Sequence, residues 1–364
     1  MRVTLVEPYY GGSHRAWADG YASHSNHDVS IVSHEARFWK WRMHGAFLTL
    51  AEELKGQIAT GDRPDVLLVS SMMDVAAFAG AVRHMAPEVP IAVYFHESQF
   101  TYPLSPADRA DATYPMKNWS SASIADLVVF NSVFHRDVFR REAARFLNQF
   151  PEYKHVHKVD GVIDRSVVLP VGIDLQALQH RQVVRSDIPL VVWNHRWEHD
   201  KGPKDLLAIV GGLIEHGADF RMAMCGEVFV SVPSTFAAIT SLLGDRLVHE
   251  GWAEPADYAA LLSEATVVLS TAEQEFFGIG VIEAVAAGAH PVLPDRLVYP
   301  ERVSALDFDA GTILYDSPST AVDLIRHAFE RDVSERARRA TTIYDWSTIA
   351  PTYDKVLAEL AAAI

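Results

Sequence analysis

Short apolar, β-branched runs recur along the chain with helix-patterned stretches between them, and this alternation restricts the fold more than any other feature. In the first half the runs are Val3 to Val6, Val66 to Val69, Ile91 to Phe95, Leu127 to Phe130 and Val167 to Leu169. Runs this short and apolar, separated by helical segments, read as strands joined by right-handed βαβ crossovers into a mostly parallel sheet. Between Pro170 and Pro189 prolines and glycines interrupt the pattern, as they do at linkers. It restarts at Leu190 to Trp193, Arg221 to Cys225, Leu247 to His249, Val267 to Ser270, Pro291 to Leu293 and Thr312 to Tyr315, with a helix predicted over Asp205 to His216. Two doubly wound α/β domains in succession follow, each presenting ligand loops at the carboxyl ends of its strands. At 364 residues there is material for two cores. The boundary is placed at residue 182, giving domains over 1–182 and 183–345, with 346–364 as a C-terminal helix that follows Tyr344 and carries Pro351 early.

Charge and composition exclude several classes. A formal net charge of −15 repels polyanions on average, against nonspecific binding to nucleic acid or anionic membrane, yet it leaves room for a local basic groove. Two stretches qualify: Arg136, Arg140, Arg141, Arg145, Lys154 and Lys158, interleaved with Phe139, Phe146, Phe150 and Tyr153, and the shorter Arg37, Lys40 and Arg42. Solvated helix faces explain both at least as well. The single cysteine, Cys225, permits neither an intrachain disulfide nor a cysteine metal cage. No apolar stretch is long enough to span a bilayer, and the first residues enter a strand pattern without a leader, so a cytoplasmic location is expected.

The chemistry concentrates in the second half. Glu275-Phe-Phe-Gly-Ile-Gly-Val-Ile-Glu283, followed by Ala-Val-Ala-Ala-Gly288-Ala-His-Pro291, sets two carboxylates eight residues apart around a strand-to-helix turn. Amides at a helix start suit a phosphate, and flanking carboxylates repel phosphate but accept hydrogen bonds from vicinal hydroxyls. Acid, amide-rich turn, acid therefore reads as a nucleotide-sugar site, against the alternative of a capped surface helix. Trp193-Asn-His-Arg196-Trp-Glu-His-Asp-Lys201-Gly202 adds two cations on one loop, a fork and a point charge suited to a diphosphate or to a surface ion-pair loop. Gly226, at the end of the next strand, permits approach to a nucleotide base or marks a tight turn.

In the first half, Val6-Glu7-Pro8-Tyr-Tyr10-Gly11-Gly12-Ser13-His14 ends a strand with paired glycines, which allow close backbone approach to phosphate or sugar without matching the dinucleotide fingerprint. Tyr94-Phe-His96-Glu97-Ser98-Gln99-Phe-Thr-Tyr102 places a polar cluster at another strand end; a lone His there is as a rule structural. Asp307-Phe-Asp309 spells an acidic triplet that can hold a metal, but its position after the acid pair makes it a surface loop, and no metal is predicted.

The acid pair and its context resemble the E-x7-E motif of GT4-type retaining glycosyltransferases. That resemblance implies the GT-B fold: two Rossmann-like domains facing a central cleft, the last helix crossing back to the first domain. It also implies that Glu275 holds the transferred sugar, Glu283 the ribose, and the amides of Phe277, Gly278 and Ile279 the diphosphate, with Phe276 also in the nucleotide-sugar site. Arg196 and Lys201 become phosphate ligands, Gly11, Gly12 and Gly226 line the nucleotide sugar, and His96 stands near the anomeric carbon. The implied chemistry is metal-independent front-face displacement, with His96, Arg196, Lys201 and Glu275 as catalytic residues. Tyr9-Tyr-Gly-Gly-Ser13-His14, Trp39-Lys-Trp41-Arg42-Met-His-Gly45, Phe95-His-Glu-Ser-Gln99, Ser270-Thr-Ala-Glu-Gln-Glu-Phe-Phe-Gly278 and Arg296-Leu-Val-Tyr-Pro300-Glu301 narrow the likeness to the tRNA-queuosine mannosyltransferase family. Membership implies transfer of mannose from GDP-mannose to queuosine in the anticodon of aspartate tRNA, with no further cofactor. Ser13, His14, Trp39, Trp41, Arg42, Gln99 and Tyr102 are then acceptor contacts, the aromatics stacking on bases. The alternatives are a GT4 enzyme using another nucleotide sugar and a small-molecule, lipid or glycan acceptor, and a catalytically silent nucleotide-sugar-binding module.

Overall fold

The structure is a computed structural model that describes every residue except 104–110, 180, 181, 183, 184, 229–232 and 364. It divides into two compact units, one made of residues 1–173 with the chain from Trp346 onward, the other of Asp174–Asp345. Position 182 falls inside the second unit, and residue 183, expected to open the second domain, lies outside the described residues.

The first unit carries β1 (Arg2–Tyr10), β2 (Asp28–Glu35), β3 (Val66–Ser70), β4 (Ile91–Phe95), β5 (Leu127–Phe130) and β6 (Ser166–Val168). They form a sheet of order β2-β1-β3-β4-β5-β6 in which every pairing is parallel. Strand β2 has no counterpart among the predicted runs, because Asp28-Val-Ser-Ile-Val-Ser-His-Glu alternates polar with apolar residues at a half-buried sheet edge. The core packs Val6, Val69, Val93, Phe95 and Phe130 against Leu50, Leu54, Phe78 and Phe139 from the flanking helices. Each such side chain contributes roughly 1.5–3 kcal/mol by leaving water.

The C-terminal helix Trp346–Ala362 belongs to this unit and packs on the helix Gly12–His24. Trp17 Nε1 donates to the Tyr353 hydroxyl (3.2 Å), and Asp354 accepts from Tyr21 Oη (3.0 Å) and the Asn26 N–H (2.8 Å). Trp346 lies against Gly20 and Gly172, where a methyl group would overlap its indole.

The second unit carries β7 (Leu190–Asn194), β8 (Arg221–Cys225), β9 (Leu247–Gly251), β10 (Val267–Leu269), β11 (His290–Pro294) and β12 (Leu314–Tyr315). Their order is β12-β11-β10-β7-β8-β9, again with parallel pairings. Thr312, predicted as strand, closes a 3-10 turn instead. In such sheets a ligand crevice forms at the carboxyl ends where the strand order reverses. That point lies between β7 and β10 in the second unit and between β1 and β3 in the first.

Candidate functional site

The β7–β10 switch point is built from the two segments singled out by sequence. His195, one residue past β7, holds Ser270 Oγ at 2.9 Å through Nε2, and Ser270 Oγ meets the Tyr299 hydroxyl at 2.6 Å. Thr271 Oγ1 donates to the Lys201 carbonyl (2.6 Å) and accepts from Trp193 Nε1 (3.0 Å), stapling the two loops together. These bonds deliver Lys201 to the acid pair. Its nearly buried ammonium donates to the Gln274 carbonyl (2.9 Å) and lies 3.2 Å from Asp200 and 3.6 Å from Glu275 Oε2.

Glu275 Oε1 accepts the N–H groups of Phe276, Phe277 and Gly278 at 3.1, 3.3 and 3.1 Å. The amides expected to face a phosphate are thus engaged by the protein's own carboxylate, the anion nearest the start of the helix Ile279–Ala287. Burial alone would push the Glu275 carboxyl up; Lys201, His195 and the Phe277 and Gly278 amides outweigh it and hold it below the usual value, so the group is ionised. Burial also drives the His195 imidazole down to about 4, helped by Lys201, so this ring is neutral at pH 7. Gly278 caps the helix at φ 86°, a conformation costly for any side chain. Arg302, buried, lays its guanidinium 4.4 Å from the centre of the Phe277 ring and donates to the Phe277 carbonyl (3.0 Å) and the Tyr344 hydroxyl (2.9 Å), which fixes the turn from behind.

Glu283 stands on the same helix. The Tyr258 hydroxyl donates to its Oε2 (2.8 Å) and accepts from Asn194 Nδ2 (3.0 Å), which also donates to the Gly280 carbonyl (2.7 Å). Burial pushes the Glu283 carboxyl up to about 7, with the Tyr258 bond acting in the opposite sense. Arg196 is half exposed and pairs with Glu198 at 3.1 Å. Gly226 abuts the His195 carbonyl so closely that a Cβ would overlap it, and its N–H donates to the Gly251 carbonyl (2.8 Å). Lys201, Glu275, Phe276, Phe277, Gly278, Ile279 and Glu283 therefore share one site, with Arg196 and Gly226 at the adjoining strand ends. Of the Asp307–Asp309 triplet, Asp309 caps the Gly311 N–H (3.1 Å) and Asp307 is fully exposed.

In the first unit the residues after β1 and β4 converge. Glu7, completely buried, accepts the Tyr9 N–H on Oε1 (2.9 Å) and faces His14 Nδ1 with Oε2 (3.1 Å). The His14 and His96 rings lie 4.1 Å apart. Gly11 abuts Ala36, which explains its lack of a side chain without a ligand, whereas Gly12, at φ 51°, is open. Ser13 is exposed. Gln99 is buried, its N–H bound to Asn118 Oδ1 (2.8 Å) and its amide to Glu97 (2.7 Å).

Trp39 packs on Tyr102 and Tyr114 with ring centres 6.2 and 5.2 Å away, while Trp41 is 63% exposed. A Cβ at Gly45 would come within 2.8 Å of the Trp41 ring, so the glycine lets that indole lie flat on its helix. Arg42 donates to the Glu35 carbonyl (3.2 Å), and Arg37 pairs with Glu35 (3.2 Å). In the longer basic stretch Arg136 pairs with Asp137, Arg140 with Asp160, Arg141 and Arg145 with Glu142, and Lys154 donates to Asn148.

Sequence reasoning missed Glu7, Asn194, His195, Tyr258, Tyr299 and Arg302. The signal for Glu7 was an acid directly after the apolar run Val3 to Val6; Tyr258 and Arg302 carry none, since each reaches the site from a different helix.

Residues 2–173 match the family described as tRNA-queuosine alpha-mannosyltransferase N-terminal, and residues 176–344 match glycosyl transferases group 1. The chain is 33% identical over 309 residues to tRNA-queuosine alpha-mannosyltransferase of Drosophila melanogaster, covering 82% of this chain and 81% of the relative. It is 23% identical over 343 residues to a GDP-mannose-dependent alpha-(1-6)-phosphatidylinositol dimannoside mannosyltransferase of Mycobacterium tuberculosis, covering 88% and 78%. Among solved structures, sucrose-phosphate synthase from Thermosynechococcus elongatus superposes with a TM-score of 0.74 at 15% identity, and a Rickettsia africae glycosyltransferase with 0.69 at 14%; coverage is 100% of both chains for the first and 99% and 98% for the second. The Anabaena protein HepE in complex with UDP superposes at 0.67 with 15% identity over the whole of both chains. These likenesses agree with the two parallel sheets in assigning the GT-B fold.

Proposed function

Because this chain belongs to the tRNA-queuosine alpha-mannosyltransferase family and is a hexosyltransferase, we propose that it transfers mannose from GDP-mannose to queuosine in the anticodon of aspartate tRNA with retention at the anomeric carbon. The observation that carries this reading is the ionised Glu275 held between Lys201 and the helix start, with Glu283 on the same helix. Two acidic side chains flank a turn served by the Lys201 ammonium, an arrangement suited to the hydroxyls and the diphosphate of a nucleoside diphosphate hexose.

In this reading the second unit takes the donor: Glu283 the ribose, Lys201 and Arg196 the diphosphate, and Glu275 the hexose. The bond from the anomeric carbon to the diphosphate oxygen breaks as the acceptor oxygen bonds to the same face. The acceptor's proton passes to the leaving phosphate oxygen, and no metal is needed because Lys201 and Arg196 meet the charge that develops there. The first unit takes the acceptor through Ser13, His14, Gln99, Tyr102 and the Trp39, Trp41 and Arg42 helix end, with His96 beside the transferred sugar. The exposed, flat-lying Trp41 supports base stacking. Aspartate tRNA would be met in the cytosol, and no described helix is long and apolar enough to cross a membrane.

The pairing of Arg136, Arg140, Arg141 and Arg145 with acids favours a second reading, a small-molecule, lipid or glycan acceptor. One experiment decides between them: incubation with labelled nucleotide sugars and with tRNA carrying or lacking queuosine, followed by nucleoside mass spectrometry. A hexose gain on queuosine with GDP-mannose is expected. Absence of that gain for every donor sinks the RNA assignment, and Glu275→Gln with undiminished turnover removes Glu275 from the sugar site.

A further inference from the structure

Glu7 is a completely buried carboxylate of the first unit that the donor chemistry does not use, and its lone pairs are incompletely accounted for. It closes the apolar part of β1 at the switch point with β3, where a ligand is expected. A carboxylate there costs several kcal/mol in lost hydration unless its roughly four acceptor sites are engaged. Oε1 takes the Tyr9 N–H at 2.9 Å, and Oε2 takes the His14 Nδ1–H at 3.1 Å.

His96 lies next to it with the complementary deficit. Its Nε2 sits 3.7 Å from Glu7 Oε2, too far for a hydrogen bond, and has no hydrogen-bond partner although the side chain is only 9% exposed. The ring is wedged among Trp17, Tyr94 and His14, at centroid distances of 4.6, 4.7 and 4.1 Å, so it cannot turn elsewhere. Burial first, then His14 and His135, hold the imidazole well below its ordinary value and keep it neutral. A carboxylate oxygen and a neutral imidazole nitrogen 3.7 Å apart both come within the usual ~2.8 Å hydrogen-bond reach of one hydroxyl, which donates to the first and bonds the second. Phosphate is repelled by the carboxylate, and a cation on Glu7 Oε2 would have to displace the His14 Nδ1–H bond.

We propose that Glu7 is a substrate-binding carboxylate which, with His96 Nε2, seats one hydroxyl of either the transferred hexose or the acceptor's diol. The assignment rests on the glycosyltransferase reading; His14 acts as the positioning residue that fixes the Glu7 carboxylate. Glu7→Gln keeps one acceptor oxygen for the His14 N–H and loses the one that takes the Tyr9 N–H, so a denaturation curve accompanies the kinetics to show that the fold is retained.

The test measures transfer by Glu7→Gln and wild type on substrates that lack one hydroxyl at a time: deoxymannose donors, and queuosine RNA deoxygenated at either position of the cyclopentenediol. Glu7→Gln should lower kcat/KM about 10- to 100-fold, the worth of a hydrogen bond to a charged group. One deoxy substrate should lose a similar factor with wild type and nothing further with the variant. If that substrate is a donor, the seat belongs to the hexose; if it is the RNA, to the diol. Losses that multiply for every analogue, or unchanged kinetics, overturn the proposal. A stoichiometric metal, found by elemental analysis and lost in Glu7→Gln, also overturns it, since Glu7, His14 and His96 present ligating atoms within 4.8 Å of one another.

Should wild type modify no queuosine RNA, the RNA assignment fails separately, and calorimetric binding then reads the seat. Weakened affinity of Glu7→Gln for the nucleotide sugar, but not for the nucleoside diphosphate, supports it. Equal affinities of variant and wild type overturn it.

Discussion

Replacing Glu283 by Gln should stabilise the second unit at pH 8 and weaken donor binding at the same time. The Glu283 carboxyl is pushed from the ordinary 4.5 up to about 7 by burial, against the opposing effect of the Tyr258 bond. Between those values the unfolded chain has lost this proton while the folded chain keeps it, so stability falls as pH rises from 4.5 through 7. At about 1.4 kcal/mol per pH unit the full difference is roughly 3 kcal/mol, and part exposure of the residue reduces it to about 2. Gln carries no charge and still accepts the Tyr258 hydroxyl, so its stability should be flat across that window. Denaturation at pH 5 and pH 8 reads the effect directly. The wild-type loss between the two should exceed that of the variant by about 2 kcal/mol, a midpoint difference on the order of 4–8 °C for a unit of this size. Calorimetric titration at pH 8 should show donor affinity falling about tenfold or more, as for a lost hydrogen bond to a charged group. Equal pH dependence of the two proteins would refute the assigned ionisation, and an unchanged donor affinity would refute the ribose contact.

Lys201→Met leaves Asp200 and Glu275 without their cation; about 3–5 kcal/mol should be lost in urea denaturation, and transfer should drop on the order of a hundredfold. Gly278→Ala forces a side chain into φ 86°, costing about 1–3 kcal/mol, and should raise the donor KM by moving an amide off Glu275; an unaltered KM would count against that role of the turn. Gly20→Ala puts a methyl group into the Trp346 indole, so limited proteolysis should cleave within residues 346–362 faster than in wild type, with about 1–3 kcal/mol lost.

Much of the fold was legible because it depends on local pattern. The runs Ile91 to Phe95 and Leu127 to Phe130 are strands residue for residue, since strands buried on both faces are apolar throughout. Strand β2 escaped because one face of an edge strand is wet. At the site, Glu275, Glu283, Arg196 and Lys201 were visible through spacing and resemblance, but the engagement of the Phe277 and Gly278 amides by Glu275 was not. That bond depends on a side-chain rotamer, and spacing carries no rotamer. The partners of the basic stretch were hidden in a related way: Arg140 meets Asp160 twenty residues on, a pairing that no linear count of cations shows.

The sequence by itself determined the succession of two parallel α/β units, the acid pair around a helix start and the family to which the chain belongs, because each is written in neighbouring residues. Only the tertiary structure decided how the charges behave. Lys201 reaches Glu275 from the β7 loop, Tyr258 reaches Glu283 from another helix, and Glu7 on β1, His14 on the helix after it and His96 past β4 meet. Ionisation depends on burial and on distances of a few ångströms, and both are properties of the packed chain.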